Sequence, residues 1–118
     1  MQDPARAAPQ LSILIKGVSV WNKWRELHPG AEICLSGAEL EGKDLSRANL
    51  RGAALSEARL RKAKLNVADL RGARLAGATL AGADLRGSEL QGANLEQANL
   101  VGAKLVGANA TEAILRFA

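Results

Sequence analysis

The chain has 118 residues, which is enough for one domain. Apolar residues make up 47% of it but aromatic residues only 3%, so its core must consist mainly of leucine and alanine and suits a thin, regular architecture. The net charge of +4 is mildly basic and lies below the charge density of a dedicated nucleic-acid-binding domain.

The first ten residues, "MQDPARAAPQ", contain two prolines and no periodic pattern, which predicts a flexible tail over residues 1–10. The apolar run "LSILI" at 11–15 is too short for the hydrophobic region of a signal peptide or for a membrane span. We therefore expect no membrane span and a cytoplasmic location.

Apolar residues then recur at helical spacing, which predicts one amphipathic helix within residues 11–30. Pro29 disfavours helical geometry at His28, and Gly30 supplies a stop. The apolar positions of this helix are Leu11, Leu14, Ile15, Val18, Trp21 and Leu27.

From Leu35 to Leu105 leucine occupies every fifth position, fifteen times in succession. Alanine usually stands two residues before each leucine, and glycine often stands two residues after it. A period of five fits neither a straight helix nor a continuous strand, so the chain must bend once per repeat. Such self-similarity predicts a solenoid over 31–118 in which Ala and Leu face inward and the last two positions form a corner.

Charges indicate how many repeats make one coil, because stacked residues avoid neighbours of like sign. If four repeats make a coil, opposite charges meet six times, as in Glu39–Arg59 and Glu96–Arg116, and like charges meet twice. If three repeats make a coil, the counts are three and three. Four repeats per coil, and therefore four sides and about four coils, is the favoured arrangement.

The repeats "SGAEL", "SRANL", "RGARL", "AGADL" and "QGANL" resemble the pentapeptide-repeat family over about residues 31–117. The resemblance implies a right-handed four-sided β-helix, an all-β solenoid. The preceding "WNKWRELHPG" is similar to the segment before the repeats in many bacterial members. Basic residues or alanine replace the usual Asp or Asn at some outward positions, where we expect a changed surface and an unchanged fold: Ala54, Arg59, Lys64, Arg74 and Lys104.

The first coil of a solenoid exposes an apolar end and unpaired strand edges. An amphipathic helix with a large aromatic ring could cover them, and Trp21 is the predicted main plug. The alternative is that the tryptophans form a binding hot spot. The predicted N-terminal cap comprises Leu14, Val18, Trp21 and Trp24.

No pattern of catalytic, cofactor-binding or metal-ligating residues is found in the sequence. His28 is the single histidine, and we expect it to be solvated or to cap the helix. Cys34 is the single cysteine, so it forms no internal disulfide, and we expect it to pack beside the helix. The chain is therefore predicted to be a non-enzymatic scaffold or protein-interaction module without a cofactor.

The most uneven surface feature is a basic band in the second coil, since residues 47–74 hold eight basic and two acidic residues. It could contact an acidic protein or, alternatively, nucleic acid or an anionic surface. In a third interpretation, the band is only a solvated face whose charges pair with those of the acidic first coil. Some members of the family imitate DNA with a long acidic rod, which this basic and short chain does not resemble. The candidate partner surface is Arg59, Arg61, Lys62, Lys64, Arg71 and Arg74.

The C-terminal end carries apolar side chains at Val106, Ile114 and Phe117, and no second helix follows to cover it. Exposed strand edges with apolar side chains favour pairing, and a two-fold homodimer is the simplest closed arrangement. The alternative is that the last residues fold back as a small plug.

Overall fold

The computed structural model describes residues 4–118, with side chains from residue 9 onward. Two short helices precede the repeats, α1 over Pro4–Ile15 and α2 over Val18–Leu27. Gly17 lies between them at φ 132°, a conformation that glycine adopts readily. The prediction of a single helix is therefore wrong, and residues 4–10 belong to α1 and not to a tail. Residues 1–3 of the predicted tail lie outside the described residues.

The side chain of Gln10 explains why α1 extends into a segment that the local pattern did not predict. Gln10 is buried, its Nε2 donates to the carbonyl of Glu32 at 2.7 Å, and its Oε1 accepts from the amide of Cys34 at 2.6 Å. Both partners are distant from Gln10 in the sequence and follow α2. Tertiary contacts therefore stabilise a helix that contains Pro9 and that propensity alone disfavours.

The repeats form a four-sided β-helix, as predicted from the charges. The outward residue of each repeat forms a parallel bridge with the residue four repeats later, from Cys34–Ala54 to Asn94–Ile114. Each side is therefore a strand of one bridged residue, at position 34 and at every fifth position as far as 114. Two-residue turns join the sides. Successive coils comprise residues 31–50, 51–70, 71–90 and 91–110, and residues 111–118 begin a fifth.

Leucine and alanine side chains fill the interior of the coils. The leucines from Leu35 to Leu95 are at most 2% exposed, and most of the alanines two positions earlier are also buried. The amide of each of these leucines donates to a carbonyl of the next coil, as Leu75 does to Asn94 at 2.7 Å. The core is thus a narrow column enclosed by hydrogen bonds between coils.

The second residue of each turn has a positive φ, which explains the preference for glycine there. Seven non-glycine residues adopt the same left-handed conformation: Arg47, Glu57, Lys62, Val67, Gln97, Glu112 and Phe117. Three of them belong to the second coil, and the third coil has glycine at the positions directly above. A Cβ atom added to Gly77 would lie 2.6 Å from Oε1 of Glu57, so glycine there leaves room for the side chain below.

Asp and Asn at the outward positions stabilise the turns. Their side-chain oxygens accept from the backbone amide two residues later, as Asp84 does from Arg86 at 3.1 Å and Asn99 from Val101 at 3.0 Å. This Asx turn is the physical reason for Asp or Asn before the leucine. Arg59, Lys64 and Arg74 lack such an acceptor, yet the coil continues through them without a break.

We expect Leu80→Ala to lower the free energy of unfolding by about 2–5 kcal/mol, because it leaves a cavity in a close-packed column. Leu80 has no exposed surface. Thr79→Ala is the matched control, because Thr79 points outward from the same side and its change should cost little. Denaturant unfolding measures both, and equal losses would contradict a core centred on the leucines.

Candidate interaction surfaces

The two helices cover the first coil with a mostly apolar face. Leu14 and Trp21 are buried, and Val18 and Trp24 are partly buried against the core. The indole N–H of Trp21 donates to the carbonyl of Asn49 at 2.8 Å. Trp24 stacks on Trp21 with ring centroids 5.4 Å apart. All four predicted cap residues therefore lie at this end, and Trp21 is the most deeply buried of them.

Polar side chains of the helices also form hydrogen bonds with backbone groups of the first two coils. The side chain of Asn22 accepts from the amide of Asn49 at 2.7 Å and donates to the carbonyl of Arg47 at 3.1 Å. Nη2 of Arg25 donates to the carbonyl of Arg51 at 3.1 Å. Sequence reasoning found the tryptophans but missed Asn22 and Arg25, because helical periodicity reports only apolar positions.

The predicted basic band does not form one continuous surface. Arg59, Arg61, Lys62 and Lys64 lie on two adjacent sides and the turn between them, and we call these four residues the basic corner. The turn at residues 71–72 lies two corners further along the shaft, diagonally opposite the turn at 61–62. Arg71 and Arg74 therefore face away from the basic corner.

Acidic residues of the neighbouring coils lie beside most of the basic corner. Nη1 of Arg59 is 3.4 Å from Glu39, and Nε of Arg61 is 3.9 Å from Glu41. The backbone of Lys64 bridges to Asp44 in the coil below and to Asp84 in the coil above. Among the side chains from residue 9 onward, Lys62 forms no salt bridge.

Two Asp-Leu-Arg repeats form ion pairs that the charge comparison between coils did not predict. Asp69 accepts from Arg71 at 2.9 and 2.7 Å, and Asp84 accepts from Arg86 at the same two distances. The hydrogen bonds from the Arg86 side chain and backbone lower the pKa of Asp84 to about 2. The hydrogen bond from the Arg71 side chain likewise lowers the pKa of Asp69. Arg71 is thus already paired with a carboxylate.

The C-terminal end presents an apolar edge. Val106 is 80% exposed and Phe117 is 82% exposed, and Ile114 is exposed to a smaller degree. Ile114 bridges to Asn94, and the amide of Gln97 donates to the carbonyl of Arg116, so the last residues continue the coil. The alternative of a plug that folds back is therefore wrong.

Neither His28 nor Cys34 belongs to a catalytic cluster within the described part of the chain. Nδ1 of His28 lies 2.9 Å from the carbonyl of Trp24, and its ring stacks on the same tryptophan. Cys34 is 1% exposed. Over residues 4–118 no group of His, Cys, Asp and Glu is placed to hold a metal ion. Neither helix in that range is long and apolar enough to cross a membrane.

Comparisons with known proteins define the class as a right-handed quadrilateral β-helix. The sequence matches the family model described as "Pentapeptide repeats" with eight copies, over residues 34–66, 53–92, 68–105 and 88–118. The chain belongs to the pentapeptide-repeat family, as its repeats indicated. Proteins of this family are generally structural or interaction modules. No curated protein matches the chain.

Two solved pentapeptide repeat proteins from cyanobacteria are similar to it in structure. The first, alr5209 from Nostoc Pcc 7120, is 39% identical with a TM-score of 0.65, and the match covers 74% of this chain and 72% of that chain. The second, Rfr23 from Cyanothece 51142, is 37% identical with a TM-score of 0.60, over 69% of this chain and 52% of that chain. This chain thus spans about half the length of Rfr23.

The lowered pKa of Asp84 predicts a contribution to stability that depends on pH. The pKa in the folded state, about 2, lies below the unfolded value of about 3.9, so the contribution is present above pH 3.9 and is lost as pH falls through 2. Asp84→Asn keeps an acceptor for the turn but removes the charge. We expect its deficit in Tm relative to wild type to shrink as pH falls through this window.

Asn99→Ala is the control for this pH series, because it removes a turn acceptor without removing a charge. Its deficit in Tm should stay constant with pH. If Tm of wild type and of Asp84→Asn changed with pH in parallel, the role given to the Asp84 charge would be contradicted.

Proposed function

We propose that the chain is a non-enzymatic interaction module whose rigid β-helix presents the basic corner to an acidic protein partner. The four-sided coil holds Arg59, Arg61, Lys62 and Lys64 at fixed spacings on adjacent sides. The packing of His28 against Trp24 and the burial of Cys34 support a role without catalysis.

The unpaired ammonium group of Lys62 is the observation that carries this proposal. Lys62 has φ 58° at a position where glycine would be unstrained, and such a residue costs about 1–3 kcal/mol. Among the described side chains no carboxylate pairs with it to offset that cost. Gly82 lies directly above, where an added Cβ would come within 3.3 Å of Cγ of Lys62. Six other turn residues share this conformation, so the exposed and unpaired ammonium group is what distinguishes Lys62 as a contact for a carboxylate.

The arginines of the basic corner can change partner at little cost. The Arg59–Glu39 and Arg61–Glu41 pairs lie at the surface, with more than half of each side chain exposed. Exposed pairs of this kind contribute only about 0–1 kcal/mol. A protein partner that supplies carboxylates could therefore bind these guanidinium groups without a large loss of stability.

Binding to nucleic acid or to an anionic membrane surface through the same corner is the other outcome to test. Glu39, Glu41 and Asp44 lie directly alongside the corner, and they would repel an extended row of phosphates. A folded protein partner can place its carboxylates between these acidic groups, which favours the protein partner.

A pull-down with wild type and with Arg59→Gln/Arg61→Gln/Lys62→Gln tests the proposal. Neutral glutamine avoids placing new carboxylates beside Glu39 and Glu41. We expect the triple variant to lose a specific protein that wild type retains. Loss of nucleic acid instead, reversed by moderate salt, would support the alternative.

Arg86→Gln/Lys104→Gln/Arg116→Gln is the matched control, since it also removes three positive charges. Two of these residues form surface salt bridges in other coils, as two residues of the basic corner do. The control should bind like wild type. Equal binding by all three proteins, or equal loss in both variants, would rule out the basic corner as the partner surface.

We also propose that a second copy of the chain covers the apolar C-terminal end. Leu105 and Leu115 are about half exposed there, unlike the leucines of the earlier coils. In the described chain the amides of Leu100 and Leu105 donate to no backbone carbonyl, which leaves a strand edge open. In a two-fold dimer the open strand edges of two copies would face each other, so the backbone donors of each copy could pair with the acceptors of the other.

Light scattering on wild type and on Phe117→Arg tests this dimer. We expect a dimer for wild type and a monomer for the variant, because an arginine in each copy would place a charge in the apolar contact. Glu57→Arg is the control, because Glu57 occupies the same corner three coils earlier and shares the positive φ. A monomeric wild type would show that this proposal is wrong.

A further inference from the structure

A cleft of about 780 Å³ lies between α2 and the first coils, away from the basic corner and from the C-terminal end. Three arginines, Arg25, Arg51 and Arg74, line it together with Glu32. Cys34 also lines it, and so does the apolar residue before it, so the wall combines apolar and cationic groups. This volume falls within the range of about 300–1,000 Å³ typical of small-molecule sites.

The fold brings the three arginines together from distant parts of the sequence. Arg74 stands on the same side of the shaft as Cys34 and Ala54, to which it is linked by successive bridges. Arg51 stands at the turn that leads into this side, and Arg25 comes from α2. Cys34 and Ala54 are small and buried, so no large side chain fills the space below Arg74 on this side. The cleft is therefore a product of tertiary structure.

The three arginines of this cleft outnumber the one carboxylate that lines it, Glu32. None of the three arginines forms a salt bridge with a carboxylate among the described side chains. Nη2 of Arg25 donates to the carbonyl of Arg51, whereas its Nη1 is buried and has no hydrogen-bond partner in the described chain. Desolvation lowers the pKa of Arg25 by more than the attraction of Asp69 raises it, which reflects the cost of burying that charge. A bound anion would offset this cost.

We propose that this cleft binds a phosphate group, either as free phosphate or as part of a small phosphorylated molecule. Guanidinium groups match the oxygens of a phosphate in two-pronged hydrogen bonds, and three of them suit a dianion better than a single carboxylate. Glu32 on the lining disfavours larger polyanions with several adjacent phosphates.

This site is independent of the proposed protein-binding surface. The turn that carries Arg51 lies at the corner diagonally opposite the one that carries Lys62. A phosphate-binding defect without a pull-down defect, or the reverse, would therefore separate the two proposals.

Isothermal titration calorimetry with inorganic phosphate, at constant ionic strength set with sodium chloride, tests the site in the full chain. We expect saturable binding by wild type. Arg74→Gln loses a charged hydrogen-bond donor, so its affinity should be lower by a factor of about ten or more. Arg74 is exposed, and among the described side chains it forms no salt bridge, so this variant should keep the wild-type Tm. Lys62→Gln has the same change of charge and should bind like wild type.

A second titration with phosphoserine and adenosine monophosphate distinguishes the sources of the phosphate group. Tighter binding of either compound than of inorganic phosphate indicates a small phosphorylated molecule as the ligand, whereas equal or weaker binding indicates free phosphate. Absence of saturable binding to all three probes would overturn the proposal. An equal loss of affinity in Arg74→Gln and Lys62→Gln would also overturn it, because it would reflect net charge alone.

Discussion

Stacking of each inward leucine on the leucine of the next coil is the constraint on which the rest of the structure depends. Each side contributes one leucine and one alanine to the column. Every repeat must therefore direct these two side chains inward in the same way. Hydrogen bonds between coils, such as that from the Leu35 amide to the Ala54 carbonyl at 2.8 Å, maintain the spacing. Outward side chains are then held in rows whose spacing the backbone sets, so surface chemistry can vary without a change of fold.

The shaft could be predicted from the sequence because the information that specifies it is local and repeated. Leucine marks each side, and charges four repeats apart report the number of sides. The helices could not be predicted as well, because Gln10 forms its contacts with Glu32 and Cys34, and no local pattern encodes such a pairing. Periodicity likewise merged α1 and α2 across Gly17, which by sequence alone looks tolerable inside one helix.

The candidate surfaces were only partly predictable for a related reason. Lys62 and Arg74 are separated by more than half a coil, so proximity in sequence placed them in one band although they face apart. Conversely, Arg25 and Arg74 are far apart in the sequence and line the same cleft. Only the position of α2 over the first coil brings them together, and the repeat pattern carries no information about that position.

The turns show that coils with the same core are not interchangeable. Glu57, Lys62 and Val67 occupy the corners of the second coil, and Gly77, Gly82 and Gly87 stand directly above them. Two side chains can also stack at one corner, as Arg47 does below Val67, so the use of glycine varies from corner to corner. Moving or duplicating a coil would preserve the leucine column but change which corner side chains stack on each other. For engineering purposes, the corner residues of a transplanted coil must therefore be chosen together with those of its neighbours.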